Sequence, residues 1–213
     1  MEKLIDKLRS EHRLEPEEYA RLVAAASGET LDRAMRAARE VAVARFGTGI
    51  YIRGLIEVTN YCRNDCYSCG IRRSNRNVER YLLTREQVLA CCRMGYELGF
   101  RTFVMQGGEG VIPEERVADV VCAIRTEFPD CAITLSLGEY ERETYQRFYD
   151  AGANRYLLRH ETADAAHYAR LHPAGMSLEH RMQCLRNLRE IGFQTGTGIM
   201  VGSPGQTVDT IVE

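Results

Sequence analysis

From Arg53 onward the sequence alternates between short apolar runs and longer amphipathic segments, and this alternation most constrains the fold. Short apolar runs bounded by turn residues predict buried strands, whereas apolar residues at 3.6-residue spacing predict helices. Strands that alternate with helices form parallel sheets, because parallel neighbours need a long crossover connection. The predicted strands are residues 54–59, 102–106, 132–137, 155–158 and 194–201.

Helices are predicted between these strands. Thr84 with Gln87 has the capping-box spacing that opens a helix. Two apolar stripes follow at helical spacing, the first made of Val117, Val120, Val121 and Ile124, the second of Leu178, Met182, Leu185 and Leu188. The segment before residue 48 also reads as helical, with a start signal at Pro16 and an expected N-cap at Thr30.

Five βα units could form an open doubly wound sheet or the first five-eighths of a (β/α)₈ barrel. Turn residues 203–207 lead into a helix, and the sequence stops within its first turns at Glu213. We therefore expect an α/β fold, a TIM barrel truncated after about five βα units, with the remaining strands in sequence not shown. The expected domains are an N-terminal helical region, 1–47, and a partial barrel, 48–213.

Composition excludes several classes of protein. The 213 residues are 45% hydrophobic and carry a formal net charge of -2, which fits a globular chain and gives no sign of nucleic-acid or membrane-surface binding. The N-terminus lacks the apolar stretch of a secretory signal, so we expect a cytoplasmic protein. In such a protein, the eight cysteines are better explained by metal binding or catalysis than by disulfides.

Cys62, Cys66 and Cys69 follow the first predicted strand in the spacing C-x-x-x-C-x-x-C. Three thiolates on a [4Fe–4S] cube leave one iron free for chemistry, whereas structural zinc usually has four protein ligands. Zinc stays an alternative, because His160 or His172 could supply a fourth ligand. The other five cysteines, which lie in helix- or strand-like segments, are expected to pack in the core: Cys91, Cys92, Cys122, Cys131 and Cys184.

The second predicted strand ends in Gly107, Gly108 and Glu109. Paired glycines allow close approach to the backbone, and a carboxylate can accept an ammonium group, although a tight βα turn would explain the same residues. Arginines also follow the cysteines, at positions 72, 73, 76 and 80. They indicate either a solvated loop or a surface that docks an anionic ligand or an acidic partner.

Together these motifs resemble the radical S-adenosylmethionine (SAM) enzymes of the biotin-synthase-like group, and within it the [FeFe]-hydrogenase maturase family HydE. The resemblance runs from about Arg53 to the last residue. It rests on the strings Cys62-Arg63-Asn64-Asp65-Cys66, Cys69-Gly70-Ile71-Arg72-Arg73, Thr134-Leu135-Ser136-Leu137-Gly138-Glu139, Arg159-His160-Glu161-Thr162 and Met200-Val201-Gly202-Ser203-Pro204.

The resemblance implies roles for individual residues. It assigns the three cysteines to the [4Fe–4S] cluster, and Gly107, Gly108 and Glu109 to the methionyl amine of SAM. Further implied SAM contacts are Thr134, Ser136, Glu161 for the ribose hydroxyls, Arg181 for the carboxylate, and Met200. Arg53, Arg155 and Arg159 are expected on the substrate side. Arg155 and Arg159 lie an even number of residues apart, so both face the barrel interior or neither does.

One position departs from the family pattern. The family usually has an aromatic residue just before the third cysteine, near the adenine, whereas this chain has Ser68 there and Tyr67 one place earlier. The departure concerns the adenine contact alone, because the thiolate spacing is intact.

The resemblance also implies an activity, the reductive cleavage of SAM to a 5'-deoxyadenosyl radical in maturation of the hydrogenase H-cluster. Its implied partners are a small or organometallic iron precursor as substrate, an electron donor such as a flavodoxin or ferredoxin, and other hydrogenase maturases. A methylornithine or biotin synthase is the alternative within the same group. A non-catalytic iron–sulfur or zinc scaffold protein is the alternative from another class.

Overall fold

The computed structural model describes residues 1–213, which divide into two units: residues 1–51 with 201–213, and residues 52–200. The helices and strands, in chain order, are α1 (Glu2–Glu11), α2 (Pro16–Ala24), α3 (Gly28–Phe46), β1 (Gly54–Thr59), α4 (Arg85–Glu97), β2 (Thr102–Gly107), α5 (Glu114–Glu127), β3 (Ala132–Ser136), α6 (Arg142–Asp150), β4 (Arg155–Leu157), α7 (Ala165–Leu171), α8 (Leu178–Ile191), β5 (Gln194–Gly196) and α9 (Val208–Val212).

The first unit contains α1, α2, α3 and α9. Pro16 opens α2, and Glu15 and Glu18 form a capping box there. The expectation that Thr30 caps α3 is wrong, because the extended residue Ser27 precedes a helix that begins at Gly28. The division of the chain between residues 47 and 48 stays a prediction.

The second unit is built on a sheet of five parallel strands in the order β1-β2-β3-β4-β5. The prediction of a parallel α/β fold with five strands is therefore confirmed. The fifth strand is shorter than predicted, since β5 ends at Gly196. Its neighbour β4 ends at Leu157, and Glu161, which follows it, has a left-handed φ of 66°. A single bridge between Glu161 and Ile199 remains.

One face of the sheet packs against the helices and forms the core. Buried strand residues such as Ile56, Met105, Leu135 and Tyr156 meet the apolar stripes of the helices. The opposite face presents two rows of residues in register. One row runs Leu55, Val104, Thr134, Arg155, Gln194, and the other begins Glu57, Gln106, Ser136. In a closed barrel, this second face would line the interior.

The eight cysteines are all free thiols. Cys92, Cys131 and Cys184 are buried as expected, but the expectation is wrong for Cys91 and Cys122, which are exposed on α4 and α5. Cys91 and Cys92 are adjacent on one helix, so a rotation of about 100° per residue turns one outward when the other packs inward. No helix in the structure is long and apolar enough to cross a membrane.

Candidate functional site

The three predicted ligand cysteines lie in a long segment between β1 and α4, residues 60–81, here called the cysteine loop. Arg80 holds this loop together. Its guanidinium donates to the carbonyl oxygens of Ile71 at 2.8 Å, Arg72 at 2.7 Å and Asn75 at 3.0 Å, and also to that of Asn60. One side chain thus donates hydrogen bonds to four backbone carbonyl groups of a loop that has no regular secondary structure.

Cys62, Cys66 and Cys69 are half-buried within this loop. The Cys62 Sγ atom accepts the backbone N–H groups of Asn64 at 3.4 Å and Glu109 at 3.3 Å. Burial, reinforced by the charges of Cys62 and Cys69, raises the pKa of Cys66 to about 11. Cluster binding would release the proton of this thiol, since cysteine binds iron as the thiolate.

The chemistry of these three thiols fits an iron–sulfur cluster better than a single metal ion. Three thiolates and N–H donors to sulfur are typical of iron–sulfur ligation. No group of three or more His, Cys, Asp or Glu side chains is placed to hold one metal ion. In a [4Fe–4S] cube, each thiolate binds a different iron, so the ligands do not converge on one point.

The cysteine loop and the end of β2 touch through the backbone. A Cβ added at Gly108 would lie 1.8 Å from the Tyr61 carbonyl oxygen and 2.8 Å from the Cys62 Cβ. At Gly107 it would lie 2.9 Å from the Thr59 carbonyl oxygen. The chain itself therefore fills the space on the Cβ side of both glycines, and their contact with the methionyl amine stays a prediction.

Glu109 projects from this junction and is 7% exposed. Its carboxylate pairs with Arg63 at 3.0 Å, and lies 3.9 Å from an Arg181 nitrogen. Gly138, with a φ of 90°, lies against it, since a Cβ there would fall 2.2 Å from the Glu109 Oε2 atom. The cysteine loop, β2 and β3 thus meet around one carboxylate.

Glu139, the residue after Gly138, was not predicted. Its Oε1 atom lies 2.8 Å from the Arg181 Nε atom, yet neither atom has a hydrogen-bond partner in good geometry. Burial raises the pKa of Glu139, and the positive charge of Arg181 offsets part of that rise. Burial by itself lowers the pKa of Arg181. Nearby negative charge, above all that of Glu139, raises the pKa by more, so the net pKa lies above its usual value. Arg181 is therefore a buried, fully charged guanidinium.

Several buried polar atoms lack a hydrogen-bond partner in good geometry, and three of them belong to Arg181 and its neighbours Glu139 and Tyr168. They are Thr134 Oγ1, Glu139 Oε1, Glu161 Oε2, Tyr168 Oη and Arg181 Nε. Buried polar groups are nearly always paired in folded proteins, so a cluster of unpaired ones indicates where a polar ligand binds. Thr134, Glu161 and Arg181 were assigned to the cofactor from sequence.

The remaining predicted residues lie around this group. Met200 donates its backbone N–H to the Glu161 carbonyl at 2.8 Å. Ser136 pairs in register with Gln106 on the face of the sheet that carries no helices. These residues therefore lie at the carboxyl ends of neighbouring strands, as expected for a barrel site, and their binding roles stay predictions.

The arginines predicted on the substrate side are placed differently from one another. Arg155 lies on the helix-free face and donates to the Gln194 side chain at 2.6 Å. Arg159 lies beyond the end of β4, and its Nε atom is 3.5 Å from a Glu161 oxygen. Strand alternation therefore does not relate the two side chains. Arg53 is exposed and immediately precedes β1.

Sequence reasoning missed Arg63, Glu139, Tyr168 and Met176, whose sulfur lies 3.7 Å from that of Cys66. A signal for Glu139 exists, because Gly138-Glu139 after β3 repeats the Gly108-Glu109 pair after β2. Nothing comparable marks Tyr168 or Met176, since each lies in the α7–α8 region and reaches the site only through the fold.

Comparison with known proteins identifies the family. The model of the radical SAM superfamily matches residues 56–213. The [FeFe] hydrogenase maturase subunit HydE of Thermotoga maritima is 44% identical over 169 residues, which cover 78% of this chain and 47% of that protein. The 3-methylornithine synthase of Methanosarcina barkeri is 28% identical over 210 residues, 97% of this chain and 59% of that protein.

Solved structures agree with this assignment. Methylornithine synthase (PylB) matches with a TM-score of 0.89 and 27% identity, over 98% of this chain and 62% of that one. HydG, a maturase of the [FeFe]-hydrogenase, matches with a TM-score of 0.86 and 25% identity, over 99% of this chain and 48% of that one. The chain spans about half the length of the curated relatives it matches. Since the family model covers well over half of the chain, the protein belongs to the radical SAM superfamily.

Proposed function

We propose that the protein cleaves SAM reductively at a [4Fe–4S] cluster and acts in maturation of [FeFe]-hydrogenase. The observation that carries the proposal is the 44% identity to the HydE maturase over 78% of this chain, including the cysteine loop. The buried, partner-poor polar atoms beside that loop support a cofactor site at the same place.

Cys62, Cys66 and Cys69 would hold the cluster, which when bound supplies the electron that breaks a carbon–sulfur bond of SAM and yields a 5'-deoxyadenosyl radical. The backbone N–H groups of Asn64 and Glu109 donate to the Cys62 sulfur and so orient this proposed ligand. The protein's own contribution is to orient the cofactor and exclude water.

Glu109 would accept the methionyl ammonium, and Arg181 would bind the methionyl carboxylate as a planar fork. Glu109 pairs with Arg63, and Arg181 lies beside Glu139, so both groups are already oriented before a ligand arrives. The unpaired Glu161 oxygen is suited to accept hydrogen bonds from the ribose hydroxyls. Thr134, Ser136 and Met200 complete the proposed cofactor contacts.

The proposed substrate is a small or organometallic iron precursor, bound on the helix-free face of the sheet near Arg155. A one-electron donor protein and other hydrogenase maturases are the proposed partners, and the proposed location is the cytoplasm. The support for these assignments is the 44% identity to a protein named as a hydrogenase maturase subunit.

The test is anaerobic reconstitution of the full-length protein, with iron and sulfide analysis followed by electron paramagnetic resonance (EPR) of the reduced cluster. We expect about four irons and four sulfides per chain, a signal that changes on addition of SAM, and formation of 5'-deoxyadenosine. Cys66→Ala should abolish all of these, whereas Cys91→Ala, at an exposed cysteine outside the loop, should not. One tightly held zinc, or an unchanged signal with no product, would remove the proposal.

A second candidate is a methylornithine synthase. It is favoured by the TM-score of 0.89 to PylB, whose likeness extends over 98% of this chain. Both candidates share the cofactor site, so the product distinguishes them. Methylornithine would be formed by the reconstituted protein only in the second case.

A further inference from the structure

The cysteine loop concentrates positive charge. Residues 60–81 contain five arginines and two acids, a local charge of +3 (5 − 2), whereas the whole chain carries -2. The arginines are Arg63, Arg72, Arg73, Arg76 and Arg80, and the acids are Asp65 and Glu79. A loop of opposite charge to its protein would draw a negatively charged partner toward that one place.

Three of the arginines have structural roles. Arg80 binds loop carbonyls, Arg63 pairs with Glu109, and Arg72 donates to the Tyr67 carbonyl at 3.2 Å. Arg73 and Arg76 differ, because both are exposed and neither forms an ion pair. The two guanidinium groups are therefore available to a partner.

The nearby acids offset only part of the positive charge of the loop. The carboxylate of Asp65 accepts the backbone N–H of Ser74 at 3.0 Å and lies within electrostatic reach of both Arg73 and Arg72. Glu79 is exposed and forms no ion pair, while its carbonyl accepts the Asn60 side chain at 2.7 Å. The loop is also fixed by backbone bonds, such as Arg73 N–H to the Asn64 carbonyl at 2.9 Å, so little ordering would be needed on binding.

An open cavity of about 420 Å³ connects the two free arginines to the cluster site. Its wall includes Arg73, Arg76 and Arg80 together with Cys62, one of the proposed ligands. The positive surface and a thiol that would bind iron thus face the same opening. We call Arg73 and Arg76 the arginine rim of this cavity.

We propose that the arginine rim docks the acidic surface of the one-electron carrier protein that reduces the cluster. The inference rests on the proposed function, which consumes one electron from outside for each SAM cleaved. The carrier loses that electron and the cluster gains it, and the transfer rate falls steeply with distance. An acidic carrier protein that contains a flavin or an iron–sulfur centre could bind at the rim. Its redox centre would then lie on the side of the loop where Cys62 is found.

The test compares the full-length, reconstituted protein with the double variant Arg73→Glu/Arg76→Glu. The matched control is Arg36→Glu/Arg39→Glu, which makes the same charge change at exposed positions of α3. Binding of an oxidised acidic flavodoxin is measured by calorimetry at low and high salt, and cluster reduction by reduced flavodoxin is followed by stopped flow. Formation of 5'-deoxyadenosine with excess dithionite reports activity that needs no carrier.

We expect the rim variant to bind flavodoxin about tenfold more weakly or worse at low salt, with the reduction rate falling in parallel. High salt should abolish the difference between the rim variant and wild type, and product formation with dithionite should be unchanged in both variants. Equal flavodoxin binding by wild type and rim variant would overturn the inference, as would an equal loss in the α3 control. Absence of product from wild type with dithionite would instead overturn the proposed function.

Discussion

Gly108 is the point at which the end of β2 and the cysteine loop are in closest contact, so Gly108→Ala should disturb both. An added Cβ would start 1.8 Å from the Tyr61 carbonyl oxygen, and real Cβ contacts are essentially never shorter than 3.0 Å. The two segments must therefore separate by at least 1.2 Å (3.0 − 1.8). The obstructing atom belongs to the backbone, so no side-chain rotation relieves the overlap.

The cost can be estimated from what that movement breaks. Overpacking of this kind typically costs about 1–3 kcal/mol, and loss of one hydrogen bond costs about 1 kcal/mol more. The bonds at risk are Gly108 N–H to the Thr59 carbonyl at 3.2 Å and Arg63 N–H to the Glu109 carbonyl at 2.8 Å. A loss of about 3 kcal/mol would lower the melting temperature of a domain this size by about 6–12 °C.

The assay is thermal unfolding of the full-length protein, together with iron content and SAM affinity after reconstitution. We expect a lower melting temperature and weaker SAM binding, because Glu109 moves relative to Cys62. The matched control is Gly175→Ala, where an added Cβ meets nothing within 4 Å. If Gly108→Ala melts and binds SAM like wild type, the reasoning from close backbone approach is refuted.

Three further predictions concern other parts of the site. Arg80→Met should loosen the cysteine loop and lower iron retention after desalting, because the loop carbonyls lose their shared donor; iron retention equal to wild type would contradict this. Thr84→Ala should remove the α4 cap and lower the free energy of unfolding by about 1 kcal/mol in denaturant titrations, with Thr126→Ala as a control at an exposed helical position. Since the pKa of Glu139 is raised on folding, its contribution to stability is present below its unfolded value of 4.5 and is lost as pH rises through the folded value. Glu139→Gln should therefore lack that loss, and its stability relative to wild type should improve as the pH rises above 4.5 in thermal melts; a constant difference would disprove it.

The sequence predicts the parallel sheet well because local patterns encode it. Val117, Val120, Val121 and Ile124 recur at helical spacing and are all buried in α5. The Thr84 capping box forms as its spacing predicts. Errors arise at the ends of strands, as at β4 and β5, which end at Leu157 and Gly196, so that Arg159 lies outside the strand pattern.

The site could be predicted only where its residues carry a motif. The three cysteines and Gly107-Gly108-Glu109 are contiguous in sequence, and position along the chain suffices to find them. Tyr168 and Met176 could not be found in this way, since their place in the site depends on how the α7–α8 region packs against the cysteine loop and Arg181. A polar group buried by tertiary packing looks in sequence like any exposed polar residue.

The bonds made by Arg80 have a consequence for how this loop can vary. Its guanidinium contacts main-chain oxygens, so the shape it imposes does not depend on the side chains at positions 60, 71, 72 and 75. The side chains of Asn60, Arg72 and Asn75 make further hydrogen bonds within the loop, whereas those of Arg73 and Arg76 are exposed. A protein engineer could therefore change the exposed positions 73 and 76, to fit a different redox partner, while the groups that hold the three thiols stay in place.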